Sequence, residues 1–222
     1  MAAAPGLTDA PGAVTGVLVA AHPLVQHRLV ALRDETTESA EFRKLVHELS
    51  AFVAYEALRD LVTERVSVRT PVGVAQCTRV SETVLLVPVL RAGLGMVPAI
   101  QELLPYSEVA HVGLRRDEVT LRSEVYLDRL PRDLAGRRVV VCDPMLATGG
   151  SLAQVCDLVV SRGASHVQAL CIIASVPGIE RFRRSHPVLP VACAVVDPEL
   201  DERGFIVPGL GDAGDRLFGP PP

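Results

Sequence analysis

The sequence predicts an α/β fold with a largely parallel central sheet flanked by helices. Short runs of β-branched residues alternate with segments whose apolar residues recur at helical spacing, the pattern of successive strand–helix–strand units. Two of these strand runs end in glycine-rich turns that lead straight into a helical pattern. The chain has 222 residues, 49% of them hydrophobic, which is enough for one sizeable core.

Residues 1–16, rich in Ala, Gly and Pro, are expected to form a disordered tail, and residues 17–222 a single domain. His22-Pro23 opens the ordered part. Leu24, Val25, Leu29 and Leu32 then give one face of a short helix. A longer helix follows, with Phe42, Leu45, Val46, Leu49, Phe52, Val53 and Leu58 at helical spacing. For His22, His27, Arg28, Arg33 and Arg43 a solvated or capping role is expected. Residues 66–77, broken by Pro71 and Gly73, suggest a hairpin. Residues 83–87 read as a buried strand and 88–95 as a loop, before Met96, Val97, Ile100 and Leu103 continue as a helix. Residues 108–113 form another strand. Residues 115–131 are polar and irregular, and long connections of this kind are often lids or binding arms. Strands are expected at 139–142, 166–174 and 191–196, with a short helix at 179–185. The glycine-rich tail, 205–218, is too short for another strand–helix unit.

Composition excludes several classes of function. A net charge of −4 and a pI of about 5.9 do not point to nucleic acid or to an anionic membrane. No apolar run approaches the roughly 20 residues needed to span a bilayer. Five cysteines are scattered without a Cys-x-x-Cys pair and read as small core residues of a cytoplasmic protein. The six histidines show no metal-ligand spacing.

The chemistry is concentrated at residues 138–151. Val139, Val140, Val141 and Cys142 form the strand, Asp143 ends it, and Pro144 removes a ladder donor. Thr148-Gly149-Gly150-Ser151 then opens a helix carrying Leu152, Val155, Leu158 and Val159. Glycines let backbone approach an anion, and the unpaired N–H groups and dipole of a helix start favour its charge. A carboxylate at the carboxyl end of a strand is poorly placed for that anion but well placed to accept hydrogen bonds from sugar hydroxyls. Together they suggest a phosphorylated sugar.

The nine residues Asp143, Pro144, Met145, Leu146, Ala147, Thr148, Gly149, Gly150 and Ser151 resemble the phosphoribosyl-pyrophosphate loop of the phosphoribosyltransferases, in the form found in the uracil phosphoribosyltransferase family. Two further stretches resemble that family in the same order. Residues 87–96, with Arg91 between a strand and a helix, are similar to its pyrophosphate loop, which implies Arg91 as a pyrophosphate ligand and often a non-proline cis peptide. Taken alone, such an Arg is a surface residue; its planar fork suits phosphate oxygens. In residues 115–121 the match implies Arg116, not Arg115, as a contact to phosphoribosyl pyrophosphate. Arg122-Ser123 and Leu127 depart from the family pattern.

Residues 204–215 contain a formal Gly-x-Gly-x-x-Gly at 209–214. It is not a dinucleotide fingerprint, because no βαβ unit frames it and no acidic residue lies about 20 positions on. Its resemblance is to the family's uracil loop, which implies Ile206, Gly211 and Ala213 as uracil contacts and Asp212 as a residue touching both substrates. Phe205 stands where many members carry Tyr.

The resemblance, over residues 15–219, implies a type I phosphoribosyltransferase-like fold with a β-arm and a C-terminal base-binding hood. It implies an enzyme making UMP and pyrophosphate from uracil and phosphoribosyl pyrophosphate, with Arg91 and Arg116 stabilising the departing charge. Mg2+ would be carried mainly by the substrate's pyrophosphate, with no metal ligand directly from the protein. Family members form homodimers or homotetramers, and some respond to GTP. The alternative is a phosphoribosyltransferase-like regulator that senses nucleotides and binds RNA. That reading needs a basic face, and 22 Lys+Arg stand against 26 Asp+Glu. A P-loop kinase is excluded, since no Gly-x4-Gly-Lys-Ser/Thr occurs.

Overall fold

A computed structural model describes residues 16–116 and 123–219. The first part contains β1 (Val17–Val19), α1 (Pro23–Arg33), α2 (Ser39–Ala57), β2 (Thr63–Thr70), β3 (Gly73–Val80) and β4 (Val84–Leu90). After a tight turn at Ala92–Gly95 come α3 (Val97–Leu103), β5 (Glu108–Val109) and β6 (Val112–Arg116). The second part contains β7 (Ser123–Asp128), β8 (Arg138–Cys142), β9 (Met145–Leu146), α4 (Gly150–Ser161), β10 (His166–Leu170) and β11 (Ile173–Ser175). It ends with α5 (Val176–Ser185), β12 (Val191–Cys193), β13 (Val195–Asp197), β14 (Glu199–Leu200), β15 (Ile206–Val207) and α6 (Ala213–Phe218).

The main sheet runs β1-β12-β10-β8-β4-β6-β7, with β5 also on β4. Its pairs are parallel except β6–β7. Side-chain alternation along the buried strands sends residues to two opposite layers. Val84, Leu86, Val140 and Cys142 pack with Leu29, Phe42, Leu49, Ile100 and Leu217, from α1, α2, α3 and α6. Leu85, Val87, Val139 and Val141 pack with Leu152, Val155, Ile179 and Phe182, from α4 and α5. The expected α/β class, with a largely parallel sheet and helices on both faces, is borne out.

Several boundaries differ from the sequence expectation. Ordered structure begins before His22-Pro23, because β1 pairs along β12 and closes one edge of the sheet. His22 is the N-cap of α1, its ring Nδ1 accepting from the Leu24 N–H at 3.2 Å. Leu24 does not join the buried face; it is 52% exposed. The strand expected to stop at Val87 continues through Pro88 to Leu90. Pro88 falls where the neighbouring strand is interrupted between Val109 and Val112, so the ladder requires no donor from it there. The strands expected at 166–174 and 191–196 are each broken, at Cys171-Ile172 and at Ala194. Their second halves, with β9, form a small parallel sheet in the order β13-β11-β9. Within the stretch 115–131, expected to be irregular, the described residues 115–116 and 123–128 are strand. β6 and β7 pair from Val112↔Asp128 to Arg116↔Ser123 as a two-stranded arm, and residues 117–122 lie outside the described residues. Cys77 is exposed on the β2–β3 hairpin, unlike the other four cysteines, which are buried. The expected tail lies outside the described residues apart from Gly16.

Phe42 links this packing to the chain's end, for it is fully buried and the Arg216 guanidinium sits 4.2 Å from its ring centre. Phe42→Ala is expected to lower stability by about 3–5 kcal/mol, because truncation leaves a cavity. Urea unfolding checks this; an unchanged midpoint refutes it.

Candidate active site

Three loops meet at the carboxyl edge of the sheet. The parallel pairing of β4 with β8, from Val84↔Arg138 to Pro88↔Cys142, makes them neighbours that end at the same edge, β4 running on to Leu90. The Arg91 loop and the Asp143 loop therefore leave side by side. Gly93 makes that proximity tolerable: a Cβ there would lie 2.3 Å from the Cys142 carbonyl oxygen. The Leu90–Arg91 peptide bond is cis.

The loop 143–151 is not a simple turn. Met145 and Leu146 pair with β11, and the Ile172 and Ile173 N–H groups donate to the Pro144 carbonyl at 2.9 and 3.0 Å. Behind them stands the first turn of α5. Ser175 Oγ donates to the Ala147 carbonyl at 2.6 Å and accepts from the Gly178 N–H at 2.9 Å. A Cβ on Gly178 would lie 2.0 Å from the Ala147 carbonyl oxygen. Gly149, the N-cap of α4, sits at φ +77°, and a Cβ there would meet the Gly178 carbonyl at 2.6 Å. Thr148, Gly150 and Ser151 stay partly accessible at the helix start. The result is a tight loop, a cradle, that leads into the start of α4, where the first main-chain N–H groups have no helical partner and no side-chain cap among the described residues.

Asp143 is half-buried at the strand end. Loss of hydration pushes its carboxyl up to about 7, opposed by the Met145 N–H that donates to it at 3.2 Å. Among the described residues no group of three His, Cys, Asp or Glu side chains forms a metal cage. A divalent ion at this edge would thus rely chiefly on oxygens brought by a substrate. Burial pushes the Cys142 and Cys156 thiols well above their ordinary value, so neither is a thiolate nucleophile.

The tail segment folds over this edge. Gly204 brings it against the cradle, its Cβ position 3.3 Å from Thr148 Cγ2. Ile206 is 5% exposed and packs in the core from β15. Gly211 is held at φ +82° with open space beside it, and Ala213 is buried. A helix does follow the glycines: Asp212 caps α6, accepting from the Asp215 N–H at 2.9 Å. Arg91 reaches this helix, donating to Asp215 Oδ1 at 3.0 Å. Both partners are exposed, so the pair is weak and leaves the guanidinium able to change partner. Arg116 ends β6, on the far side of β4, and its side chain lies outside the described residues, as do Asp117 to Arg122.

Residue-by-residue reading missed what fixes the tail. Arg33, expected to be solvated or capping, forks onto buried Asp197 at 2.7 and 2.8 Å and donates to the Gly209 carbonyl at 2.9 Å. The Gly209 N–H donates back to Asp197 at 3.0 Å. Arg43, also expected to be solvated or capping, takes a capping role on α6, donating to the Leu217 carbonyl at 3.0 Å. Arg216 donates to the carbonyls of Leu32, Leu210 and Asp34 at 2.7, 3.0 and 2.6 Å. The partners of Arg33 lie more than 160 residues away in the chain, so no local pattern could signal them.

The uracil phosphoribosyltransferase family profile matches residues 19–220. The chain belongs to the uracil phosphoribosyltransferase family. A uracil phosphoribosyltransferase of Clostridium beijerinckii is 49% identical over 199 residues, 89% of this chain and 95% of that protein. One from Symbiobacterium thermophilum is 48% identical over 204 residues, 91% of this chain and 98% of its own length. Among solved structures, a protein of Aquifex aeolicus superposes with a TM-score of 0.85 at 35% identity, covering 91% of this chain and 98% of that one.

Gly178→Ala should force the Ala147 carbonyl, and with it the N–H cradle, out of place. A displacement on the order of 1 Å at a reacting site can cost about 10²-fold. Calorimetric titration with ribose 5-phosphate should therefore show weakening of about 10- to 100-fold. Wild-type affinity in this variant would mean that α5 does not shape the cradle.

Proposed function

We infer that the chain transfers the 5-phosphoribosyl group of 5-phospho-α-D-ribose 1-diphosphate to uracil, releasing diphosphate and forming UMP. The observation that carries this reading is the meeting of the three loops at one sheet edge. Gly93 lies against Cys142, Gly204 against Thr148, and Arg91 on Asp215.

The reaction breaks a C1–O bond and makes a C1–N bond at a sugar carbon with cationic character, so the departing diphosphate must be stabilised and the base nitrogen held in line. The cradle from Ala147 to Ser151 holds the 5′-phosphate, and Asp143 accepts from the ribose hydroxyls. Arg91 exchanges Asp215 for the diphosphate, and Arg116 approaches from the arm. Mg2+, when bound, would supply further positive charge to the departing diphosphate. Main chain around Ile206, Gly211 and Ala213 pairs with the uracil ring edge, and Asp212 lies between base and sugar. No Ser–His or Cys–His nucleophile is needed.

No helix among the described residues is long and apolar enough to cross a membrane. All five cysteines are free thiols, which suits a cytoplasmic site of action. A homodimer or homotetramer is the proposed assembly. Val68, Val72 and Val74 are exposed on the β2–β3 hairpin and offer the apolar surface such an assembly would cover. Turnover of uracil against hypoxanthine and orotate, with and without GTP, tests substrate and effector together. No observation favours the RNA-binding regulator.

Asp143 couples activity to pH. Its carboxyl titrates near 7 in the free protein, and the ribose hydroxyls need its ionised form. kcat/KM for phosphoribosyl pyrophosphate should then rise with pH through about 7, and Asp143→Asn should remove that limb, losing about 1.5–3 kcal/mol above it. Because the folded pKa lies above the ordinary 3.8, folded-state stability falls as pH rises from about 3.8 to about 7. The Asn variant should therefore be the more stable protein above pH 7 while being the less active one. A pH–rate profile of the Asn variant that keeps the wild-type limb refutes the assignment.

The base loop makes a separate prediction. Uracil presents a carbonyl at C4 and an N–H at N3, whereas cytosine presents an amine and a bare nitrogen. On a fixed main-chain edge cytosine sets donor against donor, and such a site rejects its analogue by about 10⁴-fold or more. Turnover of 5-fluorouracil should approach that of uracil, with none detectable for cytosine. Comparable kcat/KM for uracil and cytosine would show that residues 206–213 are not the base pocket.

A further inference from the structure

The cradle carries a charge problem of its own. Residues 143–151 contain no Lys or Arg, and their one ionisable group is an acid. A phosphate dianion seated there is held by main-chain N–H groups alone unless a cation arrives from another element. The second tight-turn loop supplies Arg91, but that side chain lies at the other end of the site, on Asp215, where the diphosphate is proposed to bind.

α5 supplies a candidate. Gly178 and Ser175 seat its first turn directly behind Ala147, and Arg181 lies three residues beyond Gly178, on the same helix face. Its Nη2 lies 3.8 Å from the position a Cβ on Gly150 would occupy. Thr148 Oγ1 lies 3.9 Å from that same point. Gly150 is the first residue of α4, so this point sits at the mouth of the N–H cradle. Both polar atoms therefore stand close over the Gly150 backbone, near enough to one another for oxygens of a single phosphate seated against Gly150 to reach both. Arg181 is exposed and has no hydrogen bond or ion pair among the described residues. Its neighbour Arg183 is spent on the carbonyls of Gly16 and Pro187.

We propose that Arg181 is a further phosphate-binding residue, whose guanidinium closes over the 5′-phosphate held by residues 147–151. The proposal rests on the phosphoribosyl reading of that loop. It gives the cradle the cation that its own sequence lacks, from a helix whose first turn already fixes the loop's shape.

Calorimetric titrations with ribose 5-phosphate and, separately, with inorganic diphosphate test it on wild type, Arg181→Ala, Arg181→Lys and Arg184→Ala. Arg184 is an exposed Arg on the same helix, so its removal takes away equal charge without the contact. Arg181→Ala is expected to weaken ribose 5-phosphate by about tenfold, the lower end for a hydrogen bond to a charged group because the side chain is exposed. Arg181→Lys should fall between Ala and wild type, since a point charge replaces the fork. Arg184→Ala should match wild type, and diphosphate affinity should not change in any variant. In turnover, KM for phosphoribosyl pyrophosphate should rise in Arg181→Ala while KM for uracil holds. Equal ribose 5-phosphate affinity in wild type and Arg181→Ala overturns the role of Arg181 and leaves the loop's reading intact. An equal loss in Arg184→Ala, or a loss of diphosphate affinity instead, overturns it too. Wild-type protein that binds no ribose 5-phosphate overturns both readings.

Discussion

The parallel ladder between β4 and β8 is the constraint on which the site depends. Five consecutive residue pairs join these strands, and all their side chains are buried on one face or the other. A slip of one residue would exchange the two faces of β8, turning Val140 and Cys142 toward α4 and Val139 and Val141 toward α2. The register is therefore held by both layers at once. Because it is, the carbonyl of Cys142 meets the backbone at Gly93, and the loops after β4 and β8 leave the sheet side by side. Chemistry that needs a diphosphate and a ribose ring held together begins with that alignment.

The second constraint is ionic. The tail segment, residues 198–219, has little core of its own, and it is held down by arginines from helices near the chain's start. Arg33 and Asp197 form the most buried of these contacts, and the Gly209 main chain satisfies the remaining polar capacity of both. A buried pair of this kind is not chiefly a source of stability, since desolvation offsets much of its attraction. Its value here is geometric. It ties the turn at Gly209 to the end of β13, two residues short of the segment that carries Gly211 to Ala213. Arg216 repeats the device from the opposite direction, with its guanidinium on the Phe42 ring and three carbonyls of the α1 end and tail loop.

Catalytic loops of this family are legible where chemistry requires particular residue types in close succession. Asp143 to Ser151 shows its nature because a phosphate cradle needs glycines, a hydroxyl and a helix start within a few positions. The same holds for the Arg91 turn and the glycines from 209 to 214. What supports those loops was not legible. Gly178 sits in an unremarked helix start, and its need for a missing side chain arises only because the Ala147 carbonyl comes to rest beside it. The breaks that turn β10 and β12 into β11 and β13 were hidden for a related reason. Cys171, Ile172 and Ala194 at those breaks are apolar and buried, so hydrophobic pattern alone continues straight through.

By itself, then, the sequence determined the class of fold, the order of its main strands and helices, and the loops where glycines, a hydroxyl and a carboxylate cluster, because periodicity and local turn chemistry act over a few neighbouring positions. Only the tertiary structure decided which strands lie side by side, which arginines serve the site and which merely face solvent. An arginine looks the same in sequence whether it ends against water, as Arg184 does, or against a carboxylate 164 residues away, as Arg33 does. That difference is set by the packing of layers, and packing is a property of the whole chain.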